Sequence, residues 1–157
     1  MALASWQLQI AYALFLVWVV AGYVDFACHR RSDLPHTSGQ AESMAHLFQL
    51  AVIGAAVVLV LALEATRPLV LAVLALVLLH TMAGYVDTRI AFRRGRVITP
   101  LEQHVHSVLD IAPWAGWGAL AAVAAWGDGS LQLRSPAVPP KGWGNVLVPS
   151  VLLCVVP

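Results

Sequence analysis

The sequence predicts an all-α integral membrane protein, a four-transmembrane-helix bundle built from two parallel helical-hairpin repeats. Hydrophobic residues make up 60% of the 157 residues and charged residues only 11%, and the mean hydropathy is +0.79. These values are far from those of soluble domains. Four apolar stretches are each long enough to cross a hydrocarbon core, which takes about 20 helical residues. A short sequence pattern also occurs twice, once in each half of the chain.

The repeated pattern begins with the pentapeptide Ala-Gly-Tyr-Val-Asp, at residues 21–25 and again at residues 83–87. Each copy is followed by two arginines and then by Glu-x-x-x-His. The two copies lie 62 residues apart at the aspartate and 60 residues apart at the glutamate and the histidine. This nearly constant spacing indicates one hairpin unit used twice, so the repeats are assigned to residues 6–63 and 68–126 within a transmembrane domain of residues 1–126.

The first hairpin is predicted from about Trp6 to about Leu63. Its first span ends near Ala27, before a polar segment with Pro35, which disfavours further helix. The second span starts near Glu42, and its deeper part carries no ionisable group. The N-terminal segment lacks the basic start of a signal peptide, and its apolar run is too long for one, so it is interpreted as a retained span.

The second hairpin follows a short turn in which Pro68 suits the first turn of a helix. Such a short turn makes the second and third spans antiparallel neighbours. The third span covers about Leu69 to Phe92. The fourth span begins at Thr99-Pro100-Leu101-Glu102, which offers a cap residue, a proline at the first position and an acid in the first turn. It continues to about Trp126.

Residues 127–157 are predicted to form a Pro/Gly-rich tail. The tail contains an apolar segment, Val146 to Val156, that is too short to span a membrane. This segment is expected to lie at the membrane interface or to pack on a partner chain. The two cysteines lie near opposite ends of the chain, which does not indicate a disulfide framework.

The placement of the arginines predicts the orientation in the membrane. The loops after the first and third spans hold six arginines, whereas the middle loop has Arg67 alone. The positive-inside rule therefore places those two loops in the cytoplasm and both termini outside. The net charge is only +1, and no basic run resembles a DNA-binding stripe, so nucleic acid is not an expected partner.

Acidic and imidazole side chains recur at the same end of each predicted span. Residues four apart on a helix differ by only about 40° around its axis, so each Glu-x-x-x-His pair shares one face. The predicted metal ligands are Asp25, His29, Glu42, His46, Asp87, Glu102 and His106. One acid per helix, with imidazoles one turn away, is how helix bundles hold two divalent metals. Mixed carboxylate and imidazole ligands suit iron, manganese or zinc, and iron is the expected metal.

In ligand type and four-helix layout this pattern resembles the ferritin-like di-iron carboxylate proteins. It differs in having Glu-x-x-x-His where those proteins have Glu-x-x-His, in having Asp25 and Asp87 where they commonly have Glu, and in lying in a membrane. The resemblance is one of coordination and implies neither membership of that family nor its activity. The alternative interpretation is a solvated interface, at which arginines pair with acids.

Two ionisable residues are predicted to lie deeper in the membrane. His80 precedes Asp87 by seven residues and Asp110 follows Glu102 by eight, which places both about 10–12 Å further in. Ionisable groups at such a depth are candidates for function. Their expected role is catalytic, as a supporting pair or a proton path to the metals. A single structural hydrogen bond is the equal alternative.

Five further residues receive individual interpretations. Gly22 and Gly84 permit close helix approach. His104 points about 160° away from the ligand face of its helix. His36, in a loop, is a weak candidate for the site. Cys28 is either a soft metal ligand or a small packing residue, and the second is favoured.

The inventory favours a membrane metalloenzyme, namely a di-iron oxidoreductase acting on a lipid-soluble or membrane-surface substrate, over a zinc-type hydrolase. The alternatives are a divalent-metal transporter or sensor, and a haem-binding or accessory subunit of a larger membrane complex with His46 and His106 as axial ligands. Membrane lipids and either a second copy of the chain or a larger complex are the expected partners. No nucleophile elbow, phosphate loop or thiol relay occurs in the sequence, so acyl and phosphoryl transfer have no support.

Overall fold

The computed structural model describes residues 5–31, 39–127 and 129–155, and these residues form five α-helices and no β-strand. The helices are α1 (Ser5–Arg31), α2 (Gly39–Ala62), α3 (Arg67–Arg93), α4 (Pro100–Val123) and α5 (Pro140–Cys154). The prediction of an all-helical chain is confirmed.

Three of the helices are long and apolar enough to cross a membrane: Gln9–Arg31 in α1, Gln40–Ala62 in α2 and Arg67–Arg93 in α3. This indicates a membrane protein. The helix α4 has 24 residues but is not among the three. It contains Asp110 and Pro113 and two tryptophans, which dilute its aliphatic side chains. The four-span bundle therefore stays a prediction.

The best packed part of the molecule lies where α2, α3 and α4 meet. The buried side chains of this core are Ile53, Ala56, Leu69, Val70, Val73, Val77 and Leu120. Trp117 ties α4 to α3, because its indole Nε1 donates to the carbonyl of Val70 at 3.1 Å. The helix α1, by contrast, packs mainly on α4 and α5 rather than on α2.

The apolar tail forms α5, which runs beside α1 of its own chain. The Tyr12 hydroxyl donates to the Asn145 carbonyl at 3.1 Å, and seven to ten residues further along α1 the contacts involve Cys154, the last residue of α5. There the Cys154 thiol donates to the Val19 carbonyl at 3.7 Å. Gly22 makes room for this contact, since a Cβ added there would lie 3.1 Å from Cys154 Sγ.

The segment between α4 and α5 covers the turn between α2 and α3. Arg134 Nη2 donates to the carbonyls of Val60 at 2.8 Å and Leu63 at 3.2 Å. The Glu64 carboxylate accepts the backbone N–H of Ser135 at 2.7 Å. The two bonds from Arg134 satisfy carbonyls that the end of a helix leaves without intrahelical partners. The polar residues lie at the opposite end of the bundle, where α1 and α3 end and α2 and α4 begin.

Candidate metal centre

The predicted acids and imidazoles meet at one end of the bundle, and most of them are buried. Glu42 is 0% exposed, Glu102 is 1% exposed, and Asp25 and Asp87 are each 4% exposed. Four buried carboxylates in one region repel one another and are costly to desolvate unless cations compensate them. The cluster therefore requires positive charge, and the surrounding side chains show where it comes from.

Asp25, near the end of α1, contacts three imidazoles. Its Oδ1 is 2.8 Å from Nε2 of His106. Its Oδ2 lies 3.3 Å from Nε2 of His29 and 3.4 Å from Nε2 of His46. His29 is one turn further along α1, as the spacing predicts, whereas His46 comes from α2 and His106 from α4. One carboxylate thus gathers side chains from three helices.

His29 and His46 link α1 to α2 and α3. The Nδ1 of His29 is 3.0 Å from Glu42 Oε1, and its ring meets that of His46 edge-on with 4.4 Å between the ring centroids. The Nδ1 of His46 lies 2.9 Å from the backbone carbonyl of Glu42. This contact directs the other ring nitrogen of His46 towards Asp25 and Asp87, the second at 3.5 Å. Metal-binding imidazoles are commonly oriented in this way, with one nitrogen held by a carbonyl.

Two overlapping sets of donor atoms are close enough together to hold a cation. The members of the first set are Asp25, His29, Glu102 and His106, and those of the second are His29, Glu42 and His46. Within each set, one donor atom from every residue lies within 4.8 Å of the others. The sets share His29, whose two ring nitrogens face different carboxylates.

Several polar atoms of the centre are buried without a well-aligned hydrogen bond. Asp87 Oδ1 makes none within the described ranges. Asp25 Oδ1 and His106 Nε2 lie 2.8 Å apart, yet the pair does not have the alignment of a hydrogen bond. Buried polar atoms in native proteins are nearly always satisfied, so each exception needs an explanation. Asp25 and His106 belong to one donor set, so a bound cation would satisfy both of these atoms.

Arg96 also belongs to the centre, although the sequence pattern suggested only a basic loop residue. Its Nη2 is 2.7 Å from Glu42 Oε1 and 2.6 Å from Glu102 Oε1. Burial by itself would lower the pKa of Arg96, but the hydrogen bond to Glu102 and the charge of Glu42 hold that pKa above its ordinary value. The guanidinium therefore stays charged and compensates part of the carboxylate charge.

A tight turn at the end of α3 brings Arg96 back to the centre. Gly95 has φ +70°, a left-handed conformation that glycine adopts readily. The N–H of Arg96 donates to the Ala91 carbonyl at 3.0 Å and the N–H of Gly95 to the Phe92 carbonyl at 3.1 Å, which is a Schellman motif. The glycine within Arg-Arg-Gly-Arg is the sequence signal that could have located this turn.

The capping box at the start of α4 fixes Glu102. Thr99 Oγ1 accepts the Glu102 N–H at 3.2 Å, and Glu102 Oε2 accepts the Thr99 N–H at 3.4 Å. The other carboxylate oxygen is then free to face Arg96. The helix start predicted at Thr99-Pro100-Leu101-Glu102 is confirmed.

A second polar group lies deeper in the bundle, around His80. His80 is 6% exposed, and neither of its ring nitrogens makes a well-aligned hydrogen bond with the part of the chain that is described. Asp110 is exposed on α4, but it is close enough to His80 to interact with it electrostatically. Asp110 Oδ1 and Gln49 Oε1 both face Gly84, where an added Cβ would lie 3.3 Å and 3.5 Å from them. Gln49 was not identified in the sequence, because a neutral amide gives no charge signal.

The predicted ligand Asp87 contacts His46 at 3.5 Å but is a member of neither donor set. The weaker candidates do not join the sets either. His104 is exposed on α4, which agrees with its predicted direction. Cys28 is a half-buried free thiol and is absent from both sets within the described residues. His36 lies outside the described residues.

No protein-family model, curated protein or solved structure significantly matches this chain.

Proposed function

We propose that the chain is an integral membrane metalloprotein, an oxidoreductase that acts on a lipid-soluble or membrane-surface substrate. The observation that carries this proposal is the contact of buried Asp25 with three imidazoles from three helices. Ionisable groups at the ends of apolar helices commonly form solvated ion pairs, but such pairs do not require four carboxylates to be buried together. Convergent buried acids and imidazoles are what a divalent cation needs.

The proposed architecture has four spans, α1 to α4, arranged as two parallel hairpin repeats. The contacts of the centre support this arrangement, because equivalent residues of the two copies share a partner. Asp25 and Asp87 both contact His46, at 3.4 Å and 3.5 Å. Glu42 and Glu102 likewise both contact Arg96. With the arginine-rich loops in the cytoplasm, the centre lies on the cytoplasmic side and both termini lie outside.

The proposed cofactor is a pair of divalent metal ions, with iron favoured over manganese and zinc for this mixture of oxygen and nitrogen donors. Such ions, when bound, supply electrophilic and redox chemistry. The two donor sets would hold them, with His29 common to both. His80, Gln49 and Asp110 would hold and move a proton on the membrane side of the centre, since they lie deeper in the bundle than the donor sets.

Two alternatives suggested by the sequence gain no support from this geometry. The ring nitrogens of His46 and His106 contact the same carboxylate, so no porphyrin fits between them as axial ligands. A transporter needs a polar path through the bundle, whereas the large cavity beside the centre has apolar walls.

Metal content of the purified protein tests the proposal. We expect about two iron ions per chain after growth with ample iron, a number that follows from the ligand inventory. His106→Ala should lower the iron content, whereas His104→Ala, on the same helix but exposed, should not. Asp25→Asn should lower it most, since Asp25 contacts three imidazoles.

The oxidoreductase activity has its own measurement. Iron-loaded protein should consume dioxygen when a membrane lipid extract is added, and the Asp25→Asn variant should not. The proposal would be contradicted if the purified wild-type protein contained no divalent metal and its metal content were the same as that of the Asp25→Asn variant.

A further inference from the structure

A cavity of ≈ 610 Å³ lies in the apolar part of the bundle, lined mainly by α1, α2 and α4, with Val73 and Val77 of α3 and Val146 of α5. This volume is in the range of small-molecule binding sites, about 300–1,000 Å³. Its walls include Trp18 from α1, Ile53 from α2, and the small residues Ala112 and Gly116 from α4. Ser107 provides a hydroxyl at one end. A cavity with such walls accepts an apolar ligand, because polar groups buried there would find few partners.

The cavity continues the interior of the bundle directly from the candidate metal centre. Trp18 lies seven residues before Asp25, on nearly the same helical face and about 10 Å away along the axis. Ile53 has the same relation to His46. On α4, cavity-lining residues begin at Ser107, next to His106, and extend to Ala119, a length of about 18 Å. The cavity therefore extends about 18 Å along α4 from a position next to His106.

The cavity is open towards the surrounding lipid. Leu14 and Ile111 line it, yet they are 63% and 65% exposed. Because α1 packs on α4 and α5 rather than on α2, the helices leave a lateral opening.

We propose that this cavity binds one acyl chain of a membrane phospholipid, with the head end of the chain nearest Ser107 and the centre. Acyl chains are the apolar ligand that the bilayer presents at the lateral opening, and their heads stay at the interface, where the centre lies. The α4 wall of alanine and glycine is smooth enough for a linear chain. The further step, that this acyl chain is the substrate, rests on the proposed function, whereas the binding itself does not.

Photo-crosslinking tests the acyl site in the intact protein. The protein is reconstituted in phosphatidylcholine vesicles that contain phosphatidylcholine with a diazirine in one acyl chain. We expect crosslinks to concentrate on cavity-lining peptides of α1 and α4. Ala112→Phe fills the cavity and should lower this labelling by about tenfold, the change that follows from a loss of ~1.4 kcal/mol of binding. Ala122→Phe, at an exposed position outside the cavity, is the matched control and should leave the labelling unchanged.

Three outcomes would overturn the acyl site: labelling spread evenly over all lipid-facing positions, equal labelling of the two variants, or a co-purified prenyl lipid in place of phospholipid. Iron content measured on the same samples separates this inference from the proposed function. Iron without cavity labelling would contradict the acyl site alone. Cavity labelling in a protein that binds no metal would support the acyl site and contradict the proposed function.

Discussion

At the residue scale, Arg96 gives the centre a cation of its own. Its guanidinium lies between Glu42 and Glu102, both of which are almost completely buried. Two carboxylates that would otherwise repel each other are thus held together by a charge that does not depend on the metal supply. A cation approaching these glutamates has to compete with Arg96.

Replacing Arg96 should be strongly destabilising. Arg96→Met leaves two buried carboxylates without their shared partner, and breaking a buried ion pair in this way costs about 3–5 kcal/mol. Thermal unfolding of the purified protein measures the loss, and added divalent cation should restore part of it. Arg94→Met, at the neighbouring exposed position, should unfold as the wild type does. An Arg96→Met variant as stable as the wild type would mean that the two glutamates are compensated elsewhere.

The residues of the centre differ in how far sequence reasoning could reach them. Glu-x-x-x-His places Glu42 and His46 on one helical face by helix geometry alone, and the repeat extends this to the second half. Arg96, however, depends on the left-handed Gly95 and on a turn whose direction only the packed helix ends determine. Gln49 carries no charge, so its approach to Gly84 depends on tertiary packing.

At the scale of elements, the capping box of α4 couples helix stability to the position of a carboxylate. Thr99→Ala removes the acceptor for the Glu102 N–H and should lower the free energy of unfolding by about 0.5–2 kcal/mol. It also releases Glu102, so the iron content should fall with it. Thr99→Ser keeps the hydroxyl and should preserve both properties. A loss of stability with no loss of iron would exclude Glu102 from the donor set.

The contact between α5 and α1 can be tested by substitution of Gly22. A Cβ there would lie 3.1 Å from Cys154 Sγ, and overpacking of this kind costs about 1–3 kcal/mol. Gly22→Ala should therefore lower the unfolding temperature, and Cys154→Ala in the same chain should cancel much of the effect, a coupling that a double-mutant cycle measures. Gly54→Ala meets no atom within 4 Å and should stabilise α2 slightly. Additive effects of Gly22→Ala and Cys154→Ala would contradict this contact.

The elements themselves were largely predictable, because length and hydropathy indicate long apolar helices without any knowledge of their neighbours. The ends of the helices were less predictable. The fourth helix was expected to reach Trp126 but ends at Val123, and just after it the Ala125 N–H donates to the Ala65 carbonyl at 2.7 Å. The position of α5 along α1 also depends on a contact between residues that are far apart in sequence.

At the scale of the whole molecule, the polar centre connects α1 to α2. The backbones of these helices pack little against each other, yet His29 of α1 reaches Glu42 of α2 at 3.0 Å and Asp25 reaches His46 at 3.4 Å. Side chains of the centre therefore supply much of the contact between α1 and α2.

Removing that contact should let α1 move away from α2. In a protein with Cys28 and Cys154 replaced by serine, spin labels are attached at Arg30→Cys and Gln40→Cys. Pulsed electron paramagnetic resonance then measures the distance between the end of α1 and the start of α2. Adding His29→Ala should broaden the distance distribution and shift it to longer values. His104→Ala should leave it unchanged. A narrow, unshifted distribution in the His29→Ala protein would show that other contacts hold α1 in place.

The two copies of the repeated pattern, together with the residues just before them, contact different neighbours. Trp18 and Gly22 stand 62 residues before His80 and Gly84, so these pairs occupy the same register positions in the two hairpins. In the first hairpin they line the apolar cavity and seat α5. In the second, these positions are taken by His80, whose imidazole is buried, and by Gly84, which faces Asp110 Oδ1. The same two register positions therefore make apolar contacts in α1 and lie beside polar side chains in α3, so the residues of one helix could not replace those of the other.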